Sequence, residues 1–175
     1  NTMGAKIEGL GTPFLRIEGV ESLAGAEHHV IPDRIEAATL LIAGAITHGE
    51  VSVENVCIDH LSAVLDKLND VGVRIRIAED PGGSDRSTLH VLPSEKLTPT
   101  ECSALPYPGL PTDLQAQFMA LLSRADGISV VTDKVFPDRF MHVAELVRLG
   151  ASIHREGQSA IINGTEKLHG ACVMA

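Results

Sequence analysis

The chain has 175 residues, 44% of them hydrophobic, with no tryptophan and four phenylalanines, so aliphatic side chains must build its core. This length fits one domain that buries a substantial core without disulfides. The net charge of −9 argues against nucleic acid or an anionic membrane as a partner, since both bind basic surfaces, and no apolar run approaches the roughly 18 residues of a membrane span.

The first predicted elements are a β-hairpin and a long helix. Gly4-Ala-Lys-Ile leads to a second strand that begins near Leu15. Residues 33–48 are apolar nearly all round, which is typical of a buried helix, and Asp33 stands where an N-cap belongs. A short alternating strand from Val51 follows, and then a helix with apolar residues at helical spacing: Leu61, Val64, Leu65 and Leu68.

The same order of elements then recurs along the chain. Gly72 stands where a helix C-terminal cap belongs and opens a second hairpin, whose polar tip over residues 80–86 predicts a turn. A helix, a strand and another helix follow over residues 110–147, before Gly150 opens a third hairpin. A further strand is expected at the front of each unit.

This recurrence predicts pseudo-repeats. Residues 1–26 correspond to the tail of an earlier repeat, residues 27–100 to a second repeat and residues 101–175 to a third. We therefore expect a single-domain fragment of a longer chain. Alternating strands and helices with hairpins predict an α/β (α+β) fold of mixed sheets, in which each unit contributes its apolar helix to a shared core.

Two proline-bearing loops bring ionisable side chains to predicted helix starts, namely Asp113 and Arg139. Helix starts present unpaired N–H groups and suit anions, so the two side chains could serve one ligand as a base and an anion clamp. For Asp113 the alternative is helix capping, because Asp33 occupies the matching place in the previous unit. For Arg139 the alternative is a surface ion pair with Asp138 or Glu145.

The neighbours of these two side chains also have structural interpretations. Val135 and Phe136 either pack against the following helix as a local plug or form an apolar wall for a ligand. Gln115 and Gln117 are expected to lie on a solvated edge of their helix. These alternatives stay open on spacing alone.

The remaining reactive side chains give no sign of a metal site, a cofactor or a thiol nucleophile. Cys57, Cys102 (in a Pro/Thr-rich linker) and Cys172 (in an apolar terminal strand) are odd in number and widely spaced, which predicts reduced thiols in a cytoplasmic protein. None has a basic neighbour that would form a thiolate. Adjacent His28 and His29 are poorly placed to share a zinc ion, and no P-loop or dinucleotide fingerprint supports ATP or NAD.

Three runs closely resemble the UDP-N-acetylglucosamine 1-carboxyvinyltransferase family of enolpyruvyl transferases: Leu110-Pro-Thr-Asp-Leu-Gln-Ala-Gln-Phe, Val135-Phe-Pro-Asp-Arg-Phe-Met-His and Ile31-Pro-Asp-Arg-Ile-Glu. The similarity covers nearly the whole chain. It implies a domain of the inside-out α/β barrel type, built from pseudo-repeats. It also implies transfer of enolpyruvyl from phosphoenolpyruvate to the 3-hydroxyl of UDP-N-acetylglucosamine, the first committed step of bacterial peptidoglycan synthesis.

The resemblance assigns roles to five residues. Asp113 matches an aspartate that contacts the sugar nucleotide and takes the 3-hydroxyl proton. Val135 matches a sugar-nucleotide contact with Phe136 beside it, and Arg139 matches an arginine on the phosphoenolpyruvate side, where a guanidinium can hold developing charge. Asp33 matches an aspartate near the inter-domain cleft.

The chain also departs from the full family pattern. None of its cysteines lies in the Gly-Cys loop that carries the family's reactive thiol, and other phosphoenolpyruvate ligands belong outside this span. We therefore expect half a site, no activity from the chain alone, and self-association through surface that a missing repeat would cover. The alternatives are the shikimate-pathway 3-phosphoshikimate 1-carboxyvinyltransferase and a non-catalytic repeat scaffold that binds a partner.

Overall fold

The computed structural model describes residues 1–79 and 86–174, so most of the turn predicted at residues 80–86 lies outside the described residues. The chain divides into two units, residues 1–31 and residues 32–175. In the first unit, β1 (Lys6–Glu8) pairs antiparallel with β2 (Arg16–Glu18), with Ile7 opposite Ile17. The first predicted hairpin is confirmed.

The second unit begins with helix α1 (Arg34–Ile46), which is capped as predicted. The Asp33 carboxylate accepts hydrogen bonds from the backbone N–H groups of Ile35 at 2.7 Å and Glu36 at 3.2 Å. One face of α1 is buried and packs on the neighbouring sheet and on a second helix. The opposite side is open, and Leu40 is 47% exposed. Burial all round was therefore wrong, because among the described residues only one side of α1 is covered.

A three-stranded antiparallel sheet follows α1 along the chain. It consists of β3 (Val51–Val56), β4 (Arg74–Glu79) and β5 (Ser87–Leu92), with β5 in the centre. Helix α2 (Ser62–Asp70) connects β3 to β4 and packs against β4. Its buried residues, Val64 and Leu68, belong to the predicted apolar stripe.

A four-stranded mixed sheet is formed by the rest of the second unit. Its strands are β6 (Glu101–Ala104), β7 (Ile128–Asp133), β8 (Ser152–Glu156) and β9 (Ser159–Asn163), in the order β6-β7-β9-β8. β6 and β7 run parallel, and the other neighbours run antiparallel. Strand β6 is the expected front strand of the third unit, so the placing of Cys102 in a linker was wrong. The front strand expected in the second unit was wrong, since residues 27–33 form no strand before α1.

Two helices connect the strands of this sheet. Helix α3 (Gln115–Leu122) lies between β6 and β7, and α4 (His142–Arg148) lies between β7 and β8. A single 3-10 turn, Thr112–Leu114, precedes α3. Helix α3 is shorter than the sequence pattern predicted, since that pattern extended from Leu110 to near Gly127.

Glycines end two of the helices in the way the sequence predicts. After α2, the N–H of Gly72 donates to the Asn69 carbonyl at 2.8 Å, and that of Val73 donates to Leu68 at 2.9 Å. After α4, Gly150 and Ala151 make the equivalent bonds to Val147 and Leu146. Both patterns are Schellman caps, which require positive φ at the glycine, and φ is +84° at Gly72 and +93° at Gly150.

Helices α1 and α3 pack against each other within one core, as expected for apolar helices that share it. Gln117 donates from Nε2 to Oγ1 of Thr39 on α1 at 3.1 Å. Gln115 is only 1% exposed, and its Nε2 is buried with no hydrogen-bond partner among the described residues. The expected solvated edge was therefore wrong, because Gln115 is buried and Gln117 is half-buried and bonded to α1.

Candidate functional site

The candidate site lies where two parallel strands end. Strands β6 and β7 pair in parallel, with Ala104 opposite Asp133. Their carboxyl ends therefore meet at one edge of the sheet, which is where ligands bind in open α/β sheets. The loop after β6 leads to Asp113, and the loop after β7 leads to Arg139.

Asp113 and Arg139 form an ion pair at this edge. Nη1 of Arg139 donates to Oδ1 of Asp113 at 2.7 Å. Asp113 makes no side-chain cap, so the capping interpretation was wrong for Asp113. The ion pairs considered for Arg139 were also wrong, because Asp138 pairs with Arg155 and Glu145 pairs with Arg148.

The pair is half exposed, with side-chain exposures of 49% for Arg139 and 54% for Asp113. Exposed ion pairs contribute only about 0–1 kcal/mol to stability, since water screens both charges. Folding therefore does not depend on this contact. A ligand that offers an anion to the guanidinium or a hydroxyl to the carboxylate can replace it at small cost.

An aromatic ring stands beside the pair. Phe136 is 55% exposed, and the Arg139 guanidinium lies over its ring at 5.9 Å from the centroid. The interpretation of Phe136 as a buried plug was therefore wrong, whereas Val135 is half-buried. The exposed ring makes an apolar surface next to two charges, an arrangement that suits a ligand with both apolar and polar parts.

Asp133, at the end of β7, joins the two loops, and its role was not recognised from the sequence. Its carboxylate is fully buried. Oδ2 accepts the Thr112 hydroxyl at 2.6 Å, and Oδ1 accepts the backbone N–H groups of Val135 at 2.9 Å and Phe136 at 2.8 Å. The available signal was an aspartate that ends an alternating strand, since such residues often bind backbone N–H groups two and three positions on.

His142 lies behind the pair on α4. Its Nε2 is 3.1 Å from Sδ of Met119, and its ring stacks near Phe140. Burial lowers the pKa of His142, and the positive charge of Arg139 lowers it further. Both effects on the pKa favour the neutral imidazole in the folded chain.

Asp33 has different contacts from the pair. Its carboxylate is engaged in capping α1, and it lines an open depression of about 470 Å³ with the acidic residues Glu36 and Glu54. No described contact joins Asp33 to Asp113. The structure thus brings together four of the five predicted site residues: Asp113, Val135, Phe136 and Arg139.

The thiols and histidines form no reactive cluster in the described part of the chain. Burial raises the pKa of Cys102 to about 11, despite the opposing charge of Lys67. All three cysteines are free, and Cys172 lies in an exposed segment rather than the predicted terminal strand. Among residues 1–79 and 86–174, no group of three or more potential ligands could hold a metal ion, and no helix is long and apolar enough to cross a membrane.

Comparison with known proteins identifies the family to which the chain belongs. The sequence model of the family described as EPSP synthase (3-phosphoshikimate 1-carboxyvinyltransferase) matches residues 1–175. The chain belongs to this family. The resemblance predicted from its Pro-Thr-Asp-Leu-Gln-Ala-Gln-Phe run is confirmed by relatives that carry the name UDP-N-acetylglucosamine 1-carboxyvinyltransferase.

These relatives match the chain from end to end. The protein from Carboxydothermus hydrogenoformans is 54% identical over 175 residues, which are 100% of this chain and 41% of the relative. That from Koribacter versatilis is 50% identical over 173 residues, or 99% of this chain and 38% of the relative. The chain thus spans about 40% of the length of the curated relatives it matches.

Solved structures of this kind share the fold. The enolpyruvyl transferase NikO from Streptomyces tendae superposes with a TM-score of 0.78 at 26% identity, over 93% of this chain and 38% of that chain. EPSP synthase from Acinetobacter baumannii gives a TM-score of 0.57 at 18% identity, over 97% of this chain and 38% of that chain. A mixed α/β fold of enolpyruvyl transferase type is therefore confirmed.

Proposed function

We propose that this chain supplies one wall of the active site of an enzyme that transfers enolpyruvyl from phosphoenolpyruvate to the 3-hydroxyl of UDP-N-acetylglucosamine and releases phosphate. The observation that carries the proposal is the exposed Asp113–Arg139 pair at the carboxyl ends of β6 and β7. The names and the 50–54% identity of the relatives support the choice of substrates. The activity belongs to the full-length enzyme, because this chain spans about 40% of its relatives.

Asp113 acts as the base in this proposal. Its carboxylate takes the proton of the 3-hydroxyl, whose oxygen then forms the bond to the enolpyruvyl group while phosphate leaves. A carboxylate is a weak base in water, so the proton transfer needs a site that closes around it. The neighbouring loop supplies part of that enclosure through Val135 and Phe136, which contact the sugar nucleotide.

Arg139 binds the anion. Its planar guanidinium can hold the carboxylate of phosphoenolpyruvate with two parallel hydrogen bonds, and it stabilises charge that develops during transfer. The same group is bonded to Asp113 in the structure. Binding of the anion to Arg139 therefore breaks this bond and frees the Asp113 carboxylate to accept the hydroxyl proton. In this way the binding of phosphoenolpyruvate prepares the base. Asp33 is assigned to the rim of the inter-domain cleft.

The architecture proposed for this enzyme is an inside-out α/β barrel of pseudo-repeats, with residues 1–26, 27–100 and 101–175 as three successive parts. Two observations support the repeats. Gly4, Gly72 and Gly150 all have φ between +84° and +93°. β5 lies between β3 and β4, just as β9 lies between β7 and β8.

The setting proposed for the enzyme is the cytoplasm, in peptidoglycan synthesis and hence in cell-wall biogenesis, cell shape and division. The proposed reaction requires no nucleic acid, membrane or bound cofactor. The free thiols of Cys57, Cys102 and Cys172 suit a reducing compartment. Exposed apolar residues such as Leu40 favour self-association of the isolated chain.

The test is a phosphate-release assay with a full-length transferase that contains this chain. Phosphoenolpyruvate is supplied with UDP-N-acetylglucosamine in one reaction and with shikimate 3-phosphate in another. Release that depends on UDP-N-acetylglucosamine is expected. Release with shikimate 3-phosphate alone would assign the enzyme to the shikimate pathway instead, and no release with either acceptor would favour a binding scaffold.

A further inference from the structure

We infer that Asp133 is a positioning residue that sets the geometry of both catalytic loops. This inference rests on the proposed function. Asp133 ends β7, and its fully buried carboxylate has donors from both loops. A buried carboxylate is costly unless its oxygens are hydrogen-bonded, and both oxygens of Asp133 are.

The two carboxylate oxygens of Asp133 serve different segments. Oδ2 accepts the hydroxyl of Thr112 at 2.6 Å, and Thr112 is the first residue of the turn that carries Asp113. Oδ1 accepts two backbone N–H groups, from Val135 and Phe136. One carboxylate therefore ties the base to the apolar wall of the proposed site.

The same contacts reach Arg139. The N–H of Arg139 donates to the carbonyl of Phe136 at 3.0 Å. The turn held by Asp133 therefore also fixes the backbone of Arg139, whose side chain carries the guanidinium. Asp133 is itself held in the sheet, since its N–H donates to the carbonyl of Gln158 at 2.9 Å. Charge-assisted hydrogen bonds to one carboxylate in a fixed strand therefore hold both loops in place relative to each other.

Kinetics of a full-length transferase that contains this chain can separate the two sets of hydrogen bonds to Asp133, namely the bond to Oδ2 (the Oδ2 arm) and the two bonds to Oδ1 (the Oδ1 arm). Thr112→Val removes only the Oδ2 arm, and we expect kcat to fall about a hundredfold while KM for UDP-N-acetylglucosamine stays within about twofold. Thr112→Ser restores the hydroxyl and should return kcat to within about threefold of wild type. Asp133→Ala removes both arms and should also raise KM for the sugar nucleotide about tenfold, because Val135 and Phe136 lose their anchor.

Asp138→Asn is the matched control, since this carboxylate lies in the loop after β7 but its side chain is 99% exposed. Its kinetics should match wild type. A Thr112→Val enzyme within about threefold of wild type would overturn the inference. Equal losses in Thr112→Val and Thr112→Ser would also overturn it, since the hydroxyl would then have no special role.

Amide hydrogen exchange measured on this chain tests whether Asp133 holds the two loops, and the measurement does not depend on enzyme activity. Asp133→Ala should speed exchange at Val135 and Phe136 at least about tenfold, whereas Thr112→Val should act on Leu114, whose N–H closes the turn onto Pro111. Unchanged exchange at these amides would refute the positioning role. Absence of UDP-N-acetylglucosamine-dependent transfer in wild type, with exchange as expected, would instead refute the proposed function.

Discussion

The contact between Asp113 and Arg139 joins two residues that are 26 positions apart and are both about half exposed. Their charges attract each other through water, so the pair gains little from the contact. Each side chain keeps free hydrogen-bonding capacity, since a guanidinium has five N–H donors and a carboxylate has two acceptor oxygens. The pair is therefore suited to exchange its partner for a ligand.

A double-mutant cycle measures how strongly the two side chains depend on each other. Asp113→Asn, Arg139→Gln and the double variant should give a coupling energy below about 1 kcal/mol in urea unfolding. The individual variants should also unfold close to wild type. A coupling above about 2 kcal/mol would mean that the pair is a structural bond rather than a ligand site.

At the residue scale, the sequence predicted which side chains lie together better than it predicted which hydrogen bonds and ion pairs they make. Asp113 and Arg139 were expected to serve one ligand, and the structure places them in contact. Their interaction depends on the parallel pairing of β6 with β7, which joins distant parts of the chain and leaves no local pattern. The bond from Thr112 to Asp133 was missed for the same reason, because Thr112 lies 21 residues before it, whereas the bonds from Val135 and Phe136 to Asp133 are local.

Strand β6 carries a buried thiol whose titration should report on the stability of the mixed sheet. Burial raises the pKa of Cys102 from its ordinary 9.0 to about 11, and the charge of Lys67 only partly opposes this. The unfolded chain therefore loses the proton first. The free energy of unfolding should fall as pH rises from 9 towards 11, by up to about 1.4 kcal/mol per pH unit and about 2–3 kcal/mol in total.

Cys102→Ala provides the control for this prediction. The variant lacks the thiol, so the difference between its free energy of unfolding and that of wild type should change across this pH range by the stated amount. Denaturant unfolding at several pH values measures it. Parallel pH profiles for the two proteins would show that the thiol ionises as readily in the fold as in the unfolded chain.

At the element scale, local signals predicted hairpins and caps well. The C-caps at Gly72 and Gly150 follow from glycine chemistry, and all three predicted hairpins are present. The front strand containing Cys102 was expected in general but not located, because prolines and threonines around it resemble a linker. The burial of Gln115 depends on tertiary packing, which has no local sequence signature.

At the scale of the whole molecule, the chain represents about 40% of the length of its curated relatives. The fold class could be predicted because the order of elements recurs along the sequence. The proposed function accordingly assigns the exposed pair and the exposed ring of Phe136 to one side of the active-site cleft.

Binding by the isolated chain should reflect this half-site. Titration with UDP-N-acetylglucosamine should show no saturation below about 1 mM, because only part of the ligand surface meets the protein. Isothermal titration calorimetry is the measurement, with uridine diphosphate as the comparison ligand. A dissociation constant near 1 μM would show that this chain holds a complete binding site.

The most direct test of the central claim is the turnover of Asp113→Asn in a full-length transferase that contains this chain. The amide is close in shape to the carboxylate but cannot take the 3-hydroxyl proton. Turnover with phosphoenolpyruvate and UDP-N-acetylglucosamine should fall by about 10²–10⁴-fold while thermal unfolding stays near that of wild type. Turnover within a few fold of wild type would contradict the assignment of Asp113 as the base.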